Sequence, residues 1–379
     1  MATVISPDVL VVGAGPAGAA AALVLARSGA RVRLVDRAPF PRAKLCGDTV
    51  NPGALAIVDR LGVGAAVRRR ARPVPGMLVT GPGAAVAADY PDGLAGAAIE
   101  RRVFDLLLLE AAVDAGVDFT PGVRVLAPVR DPDGRVAGVR GRTAAAESIW
   151  RARFVIAADG RGSRLGAALG LTRFARSPKR WAFGAYFTDV DGLTARGEMH
   201  VRPDGYVGIA PLGDGLTNVC VVRSAPRGEG AATIAAAIGG DPALRGRFAR
   251  ARRVSSAVVL GPLAVDAAAA GCPGLLLAGD AAGFIDPMTG DGLRFALRGG
   301  ELAAHAALAE LANGRPAYAH LRARRAREFA AKRRFNRALR TLVASPRGVE
   351  LAAGLAARWP APFRRLIGIA GDVGVARPS

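Results

Sequence analysis

The chain has 379 residues, 51% of them hydrophobic and 22% charged. That excludes a disordered polypeptide and gives material for two interlocked domains. Lys and Arg total 52 against 31 acids, a net charge of +21, which is the balance of a nucleic-acid binder or a membrane-surface protein. Only Lys44, Lys179 and Lys332 are lysines, however, and so strong an arginine bias, with abundant Ala and Gly, reads as GC-rich coding rather than selection for a polyanion.

The predicted elements begin at residues 8–12, a short apolar run read as a buried parallel strand. Gly13-Ala-Gly-Pro16-Ala17-Gly18 follows and opens an Ala-rich helix to about Ser28, closed by Gly29. Residues 31–35 form the next strand, with Asp36 at its end, 18 residues beyond Gly18. Each glycine has a reason: Gly13 permits the tight turn, Gly15 lets the backbone approach a pyrophosphate, and Gly18 lets helix and strand pack closely. The helix N-terminus offers free N–H groups to phosphates, and Asp36 would accept hydrogen bonds from the hydroxyls of a ribose. A lone GxGxxG can also be a structural turn. Its place between strand and helix is the context a dinucleotide site requires.

Residues 55–70 read as a helix and residues 77–90 as paired strands. Residues 100–112 form an amphipathic helix with Phe104, Leu107, Leu108 and Ala111 on one face. A β-hairpin spans residues 123–139 around Asp131-Pro-Asp-Gly134. Residues 154–158 are a buried strand ending in Asp159-Gly160, residues 181–222 are strand-rich, and residues 274–280 run from strand into Gly279-Asp280. Residues 292–313 are helical, as is an arginine-dense tail from about Tyr318. Nucleotide-domain elements thus recur around a strand-rich stretch, which implies two domains threaded through each other with a cleft between them.

Cys46, Cys220 and Cys272 are too few and too separated for a disulfide framework or zinc cluster, and His200, His305 and His320 form no ligand-spaced pair. No metal site is expected, and a reducing, cytoplasmic setting fits. The longest apolar run is broken by Gly13, Gly15, Pro16 and Gly18, and no basic segment precedes it, so neither a transmembrane helix nor a secretory signal is expected.

Four separated motifs carry a resemblance. They are Gly13-x-Gly-x-x-Gly18, Phe40-Pro-Arg-Ala-Lys-Leu-Cys-Gly47, Asp159-Gly160, and Gly279-Asp-Ala-Ala-Gly-Phe-Ile-Asp-Pro287 continuing through Thr289-Gly-Asp-Gly-Leu293. In order and spacing the chain resembles the FAD-dependent oxidoreductases of the p-hydroxybenzoate-hydroxylase superfamily, and within it the geranylgeranyl-reductase-like branch. The resemblance implies an α/β fold. A Rossmann-like FAD-binding domain (residues 1–75, 100–165 and 265–315) would carry an inserted mixed or antiparallel β-sheet substrate domain (76–99 and 166–264). A basic helical region (316–379) would follow.

It also implies site residues. FAD would be held by Gly13, Gly15, Pro16, Ala17, Gly18, Asp36 and Arg37, and by Cys46 and Gly47 of the flavin-proximal loop. Arg101 would meet its phosphates and Val125 its adenine. Asp159 and Gly160 would touch both FAD and an incoming NADH or NADPH. Gly279 and Asp280 would meet the ribityl chain, and Gly290, Asp291, Gly292 and Leu293 the flavin edge. Cys46 is the candidate catalytic residue, able to gate substrate or stack on the ring, with a merely fitting small residue as the alternative. Only Lys44 stands near it in sequence to lower its pKa.

The substrate cleft is expected at Tyr206, Gly208, Ala210 and Pro287. Family members carry Tyr-x-Trp-x-Phe-Pro where this chain has Tyr206-Val-Gly-Ile-Ala-Pro211. Losing Trp and Phe opens space. That favours an NAD(P)H- and O2-dependent hydroxylase or epoxidase of a lipophilic aromatic, polyketide or isoprenoid compound, with reduction of prenyl C=C bonds as the rival. Halogenation ranks last, since neither the Trp-x-Trp-x-Ile-Pro run nor a pocket lysine is recognisable. In the tail, Leu321, Phe329, Phe335, Leu339 and Leu342 interleave with arginines. Docking on the chain's own core is the first expectation, peripheral membrane contact the second, and nucleic acid is not expected as a partner. Oligomeric state is left open.

Overall fold

The computed structural model describes residues 6–177, 179–224 and 229–376. The apolar run Val9–Val12 is wholly buried in the middle of a six-stranded sheet. Its strand order is Gly271–Cys272, Leu275–Leu277, Phe154–Ala157, Val9–Val12, Val32–Val35, Asp118–Thr120. Every pairing is parallel except the edge hairpin Gly271–Cys272 with Leu275–Leu277. Register pairs Val12 with both Val35 and Ala157, and Ala157 with Leu277. Gly13, Asp36, Ala158 and Ala278 therefore leave the sheet at one level, the carboxyl ends where such folds bind dinucleotides.

The helix Pro16–Arg27 packs on the long helix Gly292–Asn313. The approach is very close. A Cβ on Gly300 would stand 2.2 Å from the Ala17 carbonyl oxygen; within the glycine loop itself, one on Gly18 would stand 1.8 Å from the Gly13 carbonyl oxygen. Gly300 did not stand out in the sequence, because the contact that demands it is made by a distant segment.

A second, eight-stranded mixed sheet holds Trp181–Thr188, Thr217–Arg223, Gly205–Pro211, Gly197–Arg202, Gly76–Gly81 and Ala84–Asp89 in that order, with Arg252–Arg253 and Val258–Leu260 beside the first. Phe183, Val207, Ile209, Val219 and Val221 pack against Ile234 of the helix Gly230–Gly239 on one face. Ala182, Val201, Tyr206 and Val222 occupy the other face, with Val343 and Val349 from the C-terminal helices.

Several predicted elements are adjusted. The helix expected over 55–70 is two, Pro52–Arg60 and Gly64–Arg70, because Gly62 takes φ +72° between them. In Arg101–Asp114 the buried face is Arg101, Phe104, Asp105, Leu108, Leu109 and Ala112, rotated from the apolar stripe to take in the Arg101–Asp105 pair; Leu107 and Ala111 are half-buried. The hairpin Arg124–Arg130 with Val136–Arg142 gains a third strand, Glu147–Arg151. The tail forms three main helices, Ala317–Val343, Pro346–Arg358 and Pro360–Ala370. It docks on its own protein: Leu321 and Phe329 join the main core, and Lys332 is buried.

Candidate active site

At the carboxyl end of the parallel sheet, Gly13 has φ +99°, and a Cβ there would lie 2.4 Å from the Ala158 carbonyl oxygen. Gly15 caps the helix Pro16–Arg27 and contributes no side chain, so the first-turn amides face the crevice uncapped. The Asp36 carboxylate is oriented by backbone, accepting from Ala14 N at 2.8 Å and Ala38 N at 2.9 Å. Arg37 beside it is exposed. Val125 is buried in the hairpin, which is tied to Asp36 through Val123 N and the Asp36 carbonyl at 2.9 Å. Asp159 accepts from Arg164 N at 3.0 Å, its other oxygen is buried without a partner, and burial pushes its pKa up.

Arg101 is buried and locked on Asp105 by two hydrogen bonds, 2.9 and 3.0 Å. It lines the same cavity as Gly15, and a second guanidinium, that of Arg42, stands beside the glycine loop, 3.8 Å from Asp36 and 3.4 Å from Asp105; a Cβ on Gly15 would meet it at 3.4 Å. Burial works against the charge on Arg101, yet Asp105 and the Cys46 thiol beside it raise its pKa. The expectation that only Lys44 neighbours Cys46 is thus corrected: folding brings Arg101 to it from a distant helix. Lys44 itself lines the cavity, 4.0 Å from Asp280, and burial pushes its pKa down. A lysine is therefore present in the cavity wall, which sequence spacing did not reveal.

Gly47 and Cys46 sit in the wall of the cavity, with the Cys46 carbonyl accepting from Asn218 at 3.1 Å. Behind them lies Asp48, wholly buried at φ +52°. It accepts from the Tyr186 hydroxyl at 2.6 Å, Asn218 Nδ2 at 2.9 Å and Arg101 N at 3.2 Å, and burial pushes its pKa up to about 7.

On the opposite side Gly279, at φ +60°, packs against Ala17. The turn Pro287–Thr289 ends in Gly290 at φ +66°, and the helix Gly292–Asn313 starts there with no side-chain cap, so its first amides are available. Gly290, Gly292 and Leu293 line the cavity, as do Gly160, Gly279, Asp280 and Pro287. Asp291 does not present its carboxylate there. It meets Lys332 at 3.1 Å, Asn336 at 2.9 Å and Asn51 at 3.3 Å, and Asp372 shares Lys332 at 3.1 Å. A carboxylate this buried needs a cation, and the tail supplies it. Asp291 therefore ties the loop to the C-terminal helices.

The cavity, about 390 Å³, continues from the glycine loop past Cys46 to a space between the mixed sheet and the C-terminal helices. Its far walls are apolar, among them Val79, Met199, Val222, Leu339, Ala353 and Ile367. Tyr206 lines it and donates to Asp286 at 2.7 Å, and Arg180 holds the same carboxylate at 3.2 Å. At Gly208 a Cβ would meet only the Cys220 carbonyl oxygen, at 3.7 Å, so the space beyond is open. Ala210 is buried on the same strand but is not part of the cavity wall.

Comparison with known proteins decides the family. A family model described as "FAD binding domain" matches residues 6–234. This chain belongs to that family. The flavoprotein is 34% identical over 318 residues to a menaquinone reductase of Mycobacterium tuberculosis, covering 79% of this chain and 76% of the relative. It is 30% identical over 325 residues to a digeranylgeranylglycerophospholipid reductase of Methanopyrus kandleri, covering 79% and 80%. Its fold matches the crystal structure of a geranylgeranyl bacteriochlorophyll reductase-like protein of Thermoplasma acidophilum with a TM-score of 0.79 at 24% identity, covering 97% and 92%. The membership in the p-hydroxybenzoate-hydroxylase superfamily drawn from the four motifs holds, and the protein is a FAD-dependent oxidoreductase.

The residues present fit that cofactor. Gly13 and Gly18 admit no Cβ, the helix amides are uncapped, and Arg42 Nε and Asp159 Oδ1 are buried polar atoms without a hydrogen-bond partner. Sequence reasoning gave no role to Arg42 or Asp48 and named Lys44 only as a neighbour of Cys46. All three lie in or next to the stretch 40–47 quoted for the resemblance, where charged residues bracketing a Cys-Gly pair were the available signal.

Proposed function

We propose that this flavoprotein reduces carbon–carbon double bonds in the prenyl chain of a lipophilic substrate. One observation carries the reading: the cavity runs without a break from the dinucleotide crevice into an apolar space under the C-terminal helices. A long hydrocarbon tail in that space brings its double bonds past the crevice, and burial of its methylenes supplies the affinity. The reductases named among its relatives support the same chemistry. When bound, FAD reduced by NADH or NADPH would supply a hydride to one carbon and a proton drawn from solvent would complete the addition at the other; the protein supplies binding and orientation. Gly15, Arg101, Arg42 and the Pro16–Arg27 helix would hold the pyrophosphate, Asp36 the ribose, and Asp280 the ribityl chain. The uncapped amides at Gly292 and Leu293 would stabilise negative charge at the flavin edge. Apolar walls exclude water from the reacting carbons.

Oxygenation of a ring-bearing substrate is the second reading, favoured by the open space at Gly208. One experiment decides between them. The reduced holoenzyme is incubated without O2 with a prenylated quinone and with a geranylgeranyl lipid, and products are weighed by mass spectrometry. Gain of two hydrogens per double bond supports reduction. Turnover that appears only with O2 and adds oxygen overturns it.

A further inference from the structure

The cavity has an end that the cofactor does not explain. Leu342 and Leu366 line it, yet each is 39% exposed, so it opens to solvent between the end of the helix Ala317–Val343 and the helix Pro360–Ala370. The helices Pro346–Arg358 and Pro360–Ala370 meet at Trp359 and pack on the strand Ala84–Asp89. Their inner faces, with Val349, Ala353, Ala356 and Ile367, close the cavity. Their outer faces are also apolar. Leu351, Leu355, Trp359 and Ile369 are 67%, 41%, 58% and 50% exposed. Among the described residues, six of the twelve large exposed apolar side chains fall between 342 and 369. That concentration around a cavity mouth marks an interaction surface.

The charge on the same hairpin indicates what covers it. Exposed Arg347, Arg358, Arg364 and Arg365 stand against a single acid, Glu350, over residues 342–371, and Arg358 lies over the Trp359 ring at 5.7 Å. Apolar side chains, a tryptophan and fringing arginines on short amphipathic helices are the pattern of a surface that sits in the headgroup layer of an anionic membrane. No helix among the described residues is long and apolar enough to cross a bilayer, so the contact is interfacial. On the helix Ala317–Val343, Lys332 is buried on Asp291 and Asp372 and Arg325 donates to the Ala282 carbonyl, while Arg322, Arg324, Arg327, Arg334 and Arg337 are exposed.

We propose that the Pro346–Ala370 hairpin docks on an anionic lipid bilayer and delivers a membrane-dissolved substrate through the Leu342–Leu366 mouth. This extends the reductase reading, since a prenyl substrate resides in the bilayer. Docking itself needs no turnover, so the two fail separately.

The test floats FAD-loaded protein with vesicles of phosphatidylcholine alone and of phosphatidylcholine mixed with phosphatidylglycerol. The expected result is flotation with the mixed vesicles and roughly tenfold less with neutral ones. The pair Leu351→Ser with Trp359→Ser, and separately Arg364→Glu with Arg365→Glu, should each lower binding to mixed vesicles roughly tenfold. FAD content and turnover of detergent-dispersed substrate should stay unchanged, which shows that the fold is intact. Equal flotation of wild type and both variants, or none at all, overturns the proposal. A concentration-dependent dimer that the Leu351→Ser and Trp359→Ser pair abolishes, without vesicle binding, assigns the face to a second copy of the chain and also overturns it.

Discussion

Gly208→Trp restores the tryptophan that the geranylgeranyl-reductase-like branch carries at this strand position. Nothing but the Cys220 carbonyl lies within 4 Å of a Cβ there, so the indole enters the cavity rather than the sheet. About ten added heavy atoms displace roughly two five-carbon prenyl units from a cavity of about 390 Å³. At ~0.8 kcal/mol per buried methylene, each displaced unit costs about 4 kcal/mol as an upper bound. Losing half of one unit's burial already means roughly 30-fold in kcat/KM. The assay is kcat/KM without O2 over substrates of graded prenyl length, with FAD content as the check on folding. Long substrates should lose roughly 30-fold or more, and substrates too short to reach Gly208 should be unaffected. Unchanged kcat/KM for every length at full FAD loading would refute the assignment of this strand face to the substrate tunnel.

The remaining predictions concern stability and the cofactor. Gly18→Ala places a methyl group 1.8 Å from the Gly13 carbonyl oxygen; the loop must open, so FAD content read by visible absorbance should fall and stability should drop by about 1–3 kcal/mol. Asp48 has a native pKa of about 7 against 3.8 for the free group, because burial disfavours its charge. The native state therefore holds its proton more tightly. Its contribution, up to about 4 kcal/mol, is fully present below pH about 4 and is lost as pH rises to about 7. Urea titrations across that window should show the stability of wild type relative to Asp48→Asn falling with pH; a flat difference contradicts the raised pKa. Lys332→Met leaves Asp291 and Asp372 buried without their shared cation, and calorimetry should show a loss of about 3–5 kcal/mol that Asp291→Asn partly restores.

Much of the cofactor crevice was legible because its constraints are local. Gly13, Gly15 and Gly18 answer to the turn and helix they belong to, and Asp36 to the strand it ends. The helix Gly292–Asn313 kept the bounds its pattern predicted, since an apolar stripe closed by Gly314 in the left-handed region marks it within its own sequence. The break at Gly62 and the strand Glu147–Arg151 were less visible: the first needs only one residue at positive φ, and the second has an almost wholly exposed surface and so no apolar signature.

What the sequence determined by itself was the βαβ start of a dinucleotide site, the recurrence of its motifs, and hence the flavoprotein family. Tertiary structure alone decided which charges meet. Arg101 reaches Cys46 and locks on Asp105, Arg42 joins it beside the glycine loop, and Asp291 is taken by Lys332 from a helix some forty residues away. It also turned the basic tail into the roof of the cavity. The reason is physical. Glycine and apolar periodicity constrain the backbone over a few residues, whereas the fate of a buried charge depends on a partner that only the folded chain brings within reach.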